Sequence, residues 1–167
     1  MSLLTLETPR LTVVALPTAV ARAMLDGDLS AVSAAPGWPH ADTADALRMH
    51  AEHGSDDVPG VWVVALRDTE QVVGDCGWYG PPGAAGEVEI GYGMSPAFRG
   101  NGYATEAVRA LLGWIVGYGG VRRVVAETEV TNTPSRRLLE RLAFTVTDVS
   151  GASVRYARPV RGPRPAP

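Results

Sequence analysis

The spacing of hydrophobic and polar residues along the chain predicts short strands interrupted by helices. Alternating or continuous apolar runs that end at Pro, Gly or polar turn residues are typical of strands. The predicted strands are residues 10–16, 61–66, 71–79, 87–94, 121–130, 144–149 and 152–158. Helical spacing predicts helices at residues 18–25, 43–53 and 102–118, and one that opens at residues 132–135. Because hairpins join some strands and helices join others, we predict a mixed sheet in an α/β or α+β layer fold.

The helix at residues 102–118 is the most regular of these elements, and the turn before it predicts an anion site. Its apolar residues form a single stripe of Ala104, Ala107, Val108, Leu111, Leu112 and Ile115. The preceding turn reads Arg99-Gly100-Asn101-Gly102-Tyr103-Ala104. The first N–H groups of a helix have no internal partner, and glycine lets the main chain approach a phosphate closely. With Arg99 at the rim, we expect this turn to bind the pyrophosphate of a cofactor.

The length and charge of the chain limit its organisation and its partners. The 167 residues suffice for one domain with a hydrophobic core, which we expect at residues 1–159, before an Arg/Pro-rich tail at residues 160–167 that frays. The net charge of −3 gives no electrostatic support for a nucleic-acid or anionic-membrane partner. No run of 18 apolar residues is present and no signal-peptide pattern begins the chain, so a cytoplasmic protein is expected.

Residue usage excludes several kinds of chemistry. All 15 basic residues are arginine, which excludes any mechanism that needs lysine. The single cysteine, Cys76, excludes an intrachain disulfide and a Cys-rich metal site, and we expect it to be a small core residue. His40, His50 and His53 lack metal-ligand spacing with cysteine or carboxylates, so no metal is expected.

Three interpretations of the glycine turn compete. A dinucleotide fold needs Gly-x-Gly-x-x-Gly near the first strand and an acidic residue about 20 positions later, whereas this motif lies at mid-chain without the third glycine. A P-loop needs Gly-Lys-Ser/Thr, and the chain has no lysine. The third interpretation fits the sequence. Arg99-x-x-Gly102-x-Ala104, after a strand and at the start of a helix, resembles the acetyl-coenzyme A signature of the GCN5-related N-acetyltransferase (GNAT) family.

The resemblance covers most of the chain in the expected order. Its segments are residues 7–11, 38–40, 89–92, 95–99, 132–135 and 138–144. The first two are similar to the RimJ/RimL-like branch, which acetylates the N-termini of ribosomal proteins. Residues 89–99 resemble the fourth strand of the family with its exit, and the last two segments resemble the second cofactor motif.

The resemblance implies a single mixed, mostly antiparallel sheet of six to seven strands flanked by about four helices. It also implies an enzyme that moves an acetyl group from acetyl-coenzyme A, its co-substrate, to a primary amine by direct transfer in a ternary complex. That amine would belong to a protein N-terminus or a small molecule. The implied cofactor-binding residues are Tyr92, Gly93, Met94, Arg99, Gly100, Asn101, Gly102, Tyr103, Ala104, Asn132 and Ser135. Glycines at 91 and 93 within one strand fit a bulge or a close ligand approach.

Four glutamates are candidates for handling the amine. Glu87 and Glu89 share one face of their strand, and Glu127 and Glu129 share one face of another. If the two strands are neighbours, the carboxylates line one cleft, attract a cationic amine and raise the pKa of one member by like charge and burial. We prefer Glu89 as the base, directly or through water, with Glu127 second and with Glu87 and Glu129 as substrate-binding residues.

Two positions depart from the family pattern. Leu139 stands where many relatives have a tyrosine that protonates the leaving thiolate, which makes Ser135 the next candidate acid, with a helix-capping role as the alternative. Ala143 stands where glycine is usual, and because a left-handed alanine would cost about 1 kcal/mol, we expect a different helix-end geometry.

Further expectations concern the acceptor pocket, an alternative function and the assembly. Trp38 and His40 are predicted to line the acceptor pocket, and ordinary packing is the alternative for Trp38. A non-catalytic acyl-coenzyme A sensor or interaction module is the second functional hypothesis, and the position of the glycine motif disfavours an NAD-type dehydrogenase. A homodimer is one expectation for the assembly.

Overall fold

The computed structural model describes residues 2–161, in which nine strands form one sheet and four α-helices pack against it. The strands are β1 (Thr5–Glu7), β2 (Leu11–Ala15), β3 (Ser33–Ala34), β4 (Val61–Leu66), β5 (Gln71–Trp78), β6 (Glu87–Met94), β7 (Arg123–Glu129), β8 (Thr145–Ser150) and β9 (Ser153–Pro159). The helices are α1 (Thr18–Leu25), α2 (Ala41–His53), α3 (Tyr103–Tyr118) and α4 (Thr133–Arg141). A short 3₁₀ turn, Pro96–Phe98, follows β6.

The sheet is mixed and mostly antiparallel, as predicted. Its order is β1-β2-β4-β5-β6-β7-β9-β8, and β3 pairs with β5 outside this path. Only the β6–β7 and β3–β5 pairs are parallel among the described strands, and α3 provides the crossover between β6 and β7. Every predicted strand and helix is present, with its ends within two residues of the prediction.

The prediction of six to seven strands was too low. It missed β1, which has three residues, and β3, which has two. Such short strands carry too few residues to show an alternating pattern, and their pairing partners alone define them. Of the predicted tail, residues 162–167 lie outside the described residues, and Val160 and Arg161 belong to no helix or strand.

Each face of the sheet has its own hydrophobic core because side chains alternate along the strands. The core under α3 and α4 contains Leu111 and Leu139 together with Trp62 and Tyr156 from the sheet. The core under α1 and α2 contains Leu47 and residues of β4 that point the opposite way, such as Val63. Cys76 is buried in the first core, as the sequence predicted, and burial raises the pKa of its thiol.

The parallel strands β6 and β7 pair along only half of their length. The ladder joins Glu87–Ile90 to Arg123–Ala126 and then stops. Beyond that point β6 continues to Met94 on β5, whereas residues 127–129 of β7 pair with β9. One side of the main chain at residues 91–94 is therefore left without a strand partner, in the middle of the sheet.

The end of α4 corrects a prediction from the sequence. Ala143 has φ +64°, so the helix ends in the left-handed conformation that we expected alanine to avoid. The N–H of Ala143 donates to the carbonyl of Glu140, and that of Phe144 donates to the carbonyl of Leu139. These two bonds form a Schellman cap, and the buried Phe144 ring anchors it, so the packing outweighs the strain at Ala143.

Replacing Ala143 with glycine is therefore expected to stabilise the protein. Glycine removes the clash of a left-handed Cβ but adds freedom to the unfolded chain, so we expect a net gain of about 0.5–1 kcal/mol. Urea unfolding measures it. Ala110→Gly, inside α3, is the matched control and should lose about 1 kcal/mol. Equal losses in both variants would contradict the strain at Ala143.

Candidate active site

The turn between β6 and α3 presents a row of main-chain donors. No backbone N–H from residues 100–105 donates to a protein acceptor among residues 2–161. Gly100 and Gly102 have φ values of +77° and +79°, which only glycine adopts without strain, and they shape the turn. Arg99 is exposed at the rim, and its Nε donates to the carbonyl of Met94 at 3.1 Å. A row of free N–H groups at the start of a 16-residue helix is suited to a phosphate or pyrophosphate.

Residues near the N-terminus hold this turn in place. Arg10 Nη1 donates to the carbonyl of Asn101 at 2.8 Å, and the guanidinium lies 4.5 Å from the centre of the Tyr103 ring. Glu106, in the first turn of α3, accepts from Arg10 Nε at 2.7 Å and from the Thr8 hydroxyl at 2.6 Å. Residues 7–11, which stood out in the sequence only by resemblance, therefore hold in place the turn at residues 99–104, which we call the anion turn.

Gly91 and Gly93 make room for side chains of the protein itself. A Cβ on Gly93 would lie 2.6 Å from Cε1 and Nε2 of His40, and one on Gly91 would lie 2.7 Å from the Tyr79 hydroxyl. Both rings therefore stand against the unpaired half of β6, on the face of the sheet that carries α1 and α2. The bulge that the sequence suggested is absent from the ladder between β5 and β6. We call this surface, formed by His40, Tyr79, Glu89 and Glu87, the acceptor face.

A buried carboxylate lies behind the acceptor face. Asp75 of β5 is 6% exposed and accepts from Trp38 Nε1 at 2.7 Å and from the Thr43 hydroxyl at 2.6 Å. The same Thr43 hydroxyl lies 3.0 Å from His40 Nδ1, and His40 Nε2 lies 4.0 Å from Asp75. Trp38 is 4% exposed, so it supports this network from the core instead of lining the pocket as predicted.

The four glutamates share one face of the sheet, as expected, but two are tied to arginines. Glu87 accepts from Arg123 at 2.6 Å and from Arg155 at 3.1 Å, and the hydrogen bond from Arg123 is the main reason that its pKa lies below the ordinary value. Glu127 pairs with Arg155 at 3.7 Å and accepts from Ser153. The predicted like-charge cluster thus fails at Glu87, because the arginines of β7 and β9 neutralise it.

Glu89 and Glu129 have a different setting. Neither side chain takes part in a hydrogen bond or ion pair with another residue in the described part of the chain. Glu129 is exposed on the far side of the gap between β6 and β7, and Glu89 is half-buried on the acceptor face. Of the four, Glu89 is therefore the carboxylate that combines partial burial with freedom from arginine.

On the opposite face, two hydroxyls meet across the gap. Tyr92 of β6 and Ser135 of α4 are joined by a hydrogen bond of 2.7 Å between Tyr92 Oη and Ser135 Oγ. Burial raises the pKa of Tyr92 to about 12, so the phenol keeps its proton at neutral pH. Asn132 caps α4 by accepting from the Ser135 N–H at 3.2 Å, and Leu139 is fully buried. Both hydroxyls can donate a proton to a group in the gap.

Several of these positions escaped the sequence analysis. Glu106, Thr43 and Asp75 belong to no motif of the family resemblance. Asp75 gave one usable signal, an acidic residue inside an otherwise apolar strand, because a buried charge usually has assigned partners. Across residues 2–161, no group of three or more His, Cys, Asp or Glu side chains is arranged to hold a metal ion. None of the described helices has the length and hydropathy needed to cross a membrane.

Glu106→Gln is expected to weaken the hydrogen bonds that join α3 to Thr8 and Arg10, by an amount that depends on pH. Burial raises the pKa of Glu106, but the hydrogen bonds from Thr8 and Arg10 outweigh it and hold the pKa below its ordinary value of 4.5. The stabilisation is therefore present above that value and is lost as pH falls through the lower, folded pKa. At pH 7 the variant should lose about 1–2 kcal/mol of unfolding free energy.

Urea unfolding between pH 7 and pH 3 measures this difference. The gap between the wild type and Glu106→Gln should close at the acid end, whereas Glu52→Gln, at an exposed site on α2, should show little gap throughout. A gap that stays constant with pH would show that the carboxylate charge does not contribute.

Comparisons with known proteins agree with this geometry. The profile of the acetyltransferase (GNAT) domain matches residues 10–145. The uncharacterized N-acetyltransferase YjdG of Bacillus subtilis is 30% identical over 112 residues, which cover 64% of this chain and 66% of that protein. The uncharacterized N-acetyltransferase p20 of Bacillus licheniformis is 35% identical over 81 residues, 48% of this chain and 46% of that protein. The chain thus spans less than two thirds of the curated relatives it matches.

Solved structures extend the likeness to nearly the whole fold. The ribosomal-protein-S5-alanine acetyltransferase of Vibrio fischeri has a TM-score of 0.66 at 16% identity and covers 94% of this chain and 97% of its own. RimL, a ribosomal L7/L12 alpha-N-protein acetyltransferase solved in complex with coenzyme A, has a TM-score of 0.67 at 17% identity, covering 94% and 98%. These identities support the fold alone. The family profile spans most of the chain, and the protein belongs to the GNAT acetyltransferase family.

Proposed function

We propose that the protein is an N-acetyltransferase that moves the acetyl group of acetyl-coenzyme A to a primary amine, by direct transfer in a ternary complex. The row of unpaired N–H groups at residues 100–105, next to the unpaired half of β6, is the observation that carries the proposal. A turn that binds a pyrophosphate and an open strand edge beside it fit the two parts of one long cofactor. A cytoplasmic location and a homodimer are further parts of the proposal.

The cofactor would be held almost entirely by the main chain. The N–H groups of residues 100–105 would bind the pyrophosphate, with Arg99 at the rim. The pantetheine arm would follow the free side of Tyr92, Gly93 and Met94 as an additional strand does, and Asn132 borders the same gap. The thioester would then lie between the two faces of the sheet, with an N–H of β6 near Tyr92 or Met94 to stabilise the developing oxyanion.

The acceptor would approach from the acceptor face and carry a positive charge. Burial raises the pKa of Tyr79, and so do the negative charges of Glu89, Asp42, Asp75 and Asp45. A surface with this many carboxylates favours a protonated amine. A peptide N-terminus and a small amine both fit this chemistry. RimL and the ribosomal-protein-S5-alanine acetyltransferase have the same fold, which keeps a protein N-terminus among the candidates without selecting it.

Four carboxylates have a place in the proposal at the acceptor. Glu89 stays the predicted partner of the cationic amine and a candidate for its base, so Glu89→Gln should lower turnover and leave acetyl-coenzyme A affinity nearly unchanged. Glu127 and Glu129 border the far side of the gap. Glu87, bound to Arg123 and Arg155, shapes the acceptor face through an ion pair that needs no substrate.

Protonation of the leaving thiolate is assigned to the hydroxyl pair on the other face. Ser135 would donate to the sulfur, and Tyr92, at 2.7 Å, would replace that proton or steady the hydroxyl. Leu139, in place of the usual tyrosine, favours the alternative of a non-catalytic acyl-coenzyme A sensor. The Tyr92–Ser135 pair argues against that alternative, since it supplies proton donors that the Leu139 position lacks.

Gly100→Ala tests the anion turn. At Gly100 and at Gly151 the φ values are +77° and +59°, and a Cβ would meet nothing within 4 Å at either site. Each alanine variant should therefore lose about 1 kcal/mol of stability. Only Gly100→Ala should also weaken the binding of acetyl-coenzyme A, with a Kd about tenfold higher, because it redirects the main-chain N–H groups of the turn. Calorimetric titration measures the affinity. Equal binding by both variants and the wild type would refute the assigned turn.

Ser135→Ala tests the proton donor. We expect kcat to fall about 100-fold while the Kd of acetyl-coenzyme A changes little, because general acid catalysis contributes about that much. Ser135→Thr keeps a hydroxyl and should retain part of the rate, and Tyr92→Phe should give an intermediate loss. Release of free thiol, followed with a thiol reagent across an amine panel, reports kcat. A rate for Ser135→Ala equal to that of the wild type would remove Ser135 from this role.

A further inference from the structure

The acceptor face contains an imidazole that is connected to a buried carboxylate. The His40 side chain is 22% exposed and stands against Gly93, in the half of β6 that no longer pairs with β7. Behind it, the Thr43 hydroxyl lies 3.0 Å from His40 Nδ1 and donates to Asp75 at 2.6 Å. Asp75 cannot reach solvent freely, since it is 6% exposed. The chain of contacts therefore runs from the core to the open segment of β6.

His40 lies nearer than Glu89 to the expected position of the thioester. Along one face of a strand, alternate residues are about 6–7 Å apart. Glu89 is two such steps before Gly93, whereas the His40 ring lies directly on Gly93. Of the titratable side chains on the acceptor face, His40 is thus the one at the unpaired end, and Tyr79, over Gly91, stands between it and Glu89.

Several charged or titratable groups from neighbouring elements face His40. Asp75 of β5 lies with a carboxylate oxygen 4.0 Å from His40 Nε2. Asp42 and Asp45 are on α2, and Glu89 is on β6. The Tyr79 hydroxyl lies against Gly91, next to the His40 ring on Gly93. Burial raises the pKa of Asp75, while its hydrogen bonds from Thr43 and Trp38 and the nearby His40 ring oppose the rise. A proton gained by His40 would offset the cost of keeping a carboxylate charge in the core.

We propose that His40 is the general base of the acetyl transfer and that Asp75, acting through Thr43, is its positioning residue. The inference rests on the proposed function and deepens it. His40 Nε2 takes a proton from the ammonium of the acceptor, and the resulting neutral amine attacks the thioester carbonyl. The new C–N bond forms, the C–S bond breaks, and the thiolate takes a proton from Ser135. The attacking nitrogen gives up its surplus proton in the same step, and that proton returns to Ser135 through Tyr92 or water. The imidazolium then releases its proton to water, so one proton is produced for each amide formed. Glu89 holds the cationic amine in place beside it.

A purely structural role for His40 makes a different prediction. In that role Nδ1 carries no proton and caps α2 by accepting from the Thr43 N–H at 3.4 Å. In the proposed base the proton lies on Nδ1 and is donated to the Thr43 hydroxyl at 3.0 Å, which leaves Nε2 free. Asparagine is an equally good N-cap and cannot act as a base at neutral pH. His40→Asn therefore keeps the cap and removes the proposed chemistry. His53→Asn is the matched control, since the His53 side chain is 76% exposed at the other end of the same helix.

The first measurement is the pH profile of kcat/KM for thiol release. The full chain is assayed with acetyl-coenzyme A and a panel of spermidine, an aminoglycoside, an amino acid and short peptides with free N-termini. In the wild type, kcat/KM should rise with pH as His40 loses its proton. His40→Asn should lower kcat/KM about 100-fold and remove the rise of kcat/KM with pH that His40 causes, while the Kd of acetyl-coenzyme A stays unchanged. Asp75→Asn should move the midpoint of this rise about one pH unit lower, because the imidazolium loses its negative partner. His53→Asn should match the wild type.

The second measurement needs no acceptor. Proton NMR follows the three histidines through a pH titration, and the midpoint of His40 should fall in Asp75→Asn while that of His53 stays fixed. A folded His40→Asn variant with the wild-type profile would overturn the inference and leave the proposed function intact, as would an unmoved His40 midpoint. If the wild type releases no thiol with any amine, the proposed function and this inference fail together.

Discussion

The early end of the β6–β7 ladder is the constraint on which the site depends. Two parallel strands that separate after Ile90 and Ala126 leave unsatisfied main-chain groups in the centre of a sheet, where a protein normally pairs them. In the proposed complex, the extended arm of the cofactor would supply the missing partners. The turn at residues 100–105 repeats the same condition a few residues later, with a row of donors that have no protein acceptor. Together they fit the proposed ligand, which has a phosphate end and an extended, amide-containing arm.

The two faces of the sheet divide the chemistry between them. Because side chains alternate, Tyr92 points to the α3 and α4 face, where its hydroxyl meets Ser135, and Gly91 and Gly93 open the other face to Tyr79 and His40. A group in the gap between β6 and β7 would thus meet hydroxyl donors on one side. On the other side it would meet the acceptor face, with its imidazole and carboxylates. In the proposed mechanism, one strand with alternating glycines and larger residues would therefore separate proton donation from proton removal.

Much of this architecture could be predicted from the sequence, and the failures have physical causes. The alternation of apolar and polar residues located the strands that are long enough to show it. The apolar stripe located α3, and the start of that helix marked the glycine turn before it. The pattern could not show β1 or β3, which exist through pairing, nor the positive φ of Ala143, which packing of Phe144 enforces. It placed the glutamates on one face but could not reveal that Arg155, distant in sequence, neutralises two of them.

The same limit explains why Asp75 and His40 were not linked from the sequence. They belong to β5 and to the loop before α2, and only the packing of α2 on the sheet brings the Thr43 hydroxyl between them. Burial of a carboxylate in a core is unfavourable, and replacing it with an apolar residue would often stabilise a fold. Its presence directly behind a partly exposed imidazole, at the point where β6 loses its partner, is easier to explain by chemistry than by stability. A glycine at 93 fits the same account, because any larger side chain there would displace the ring.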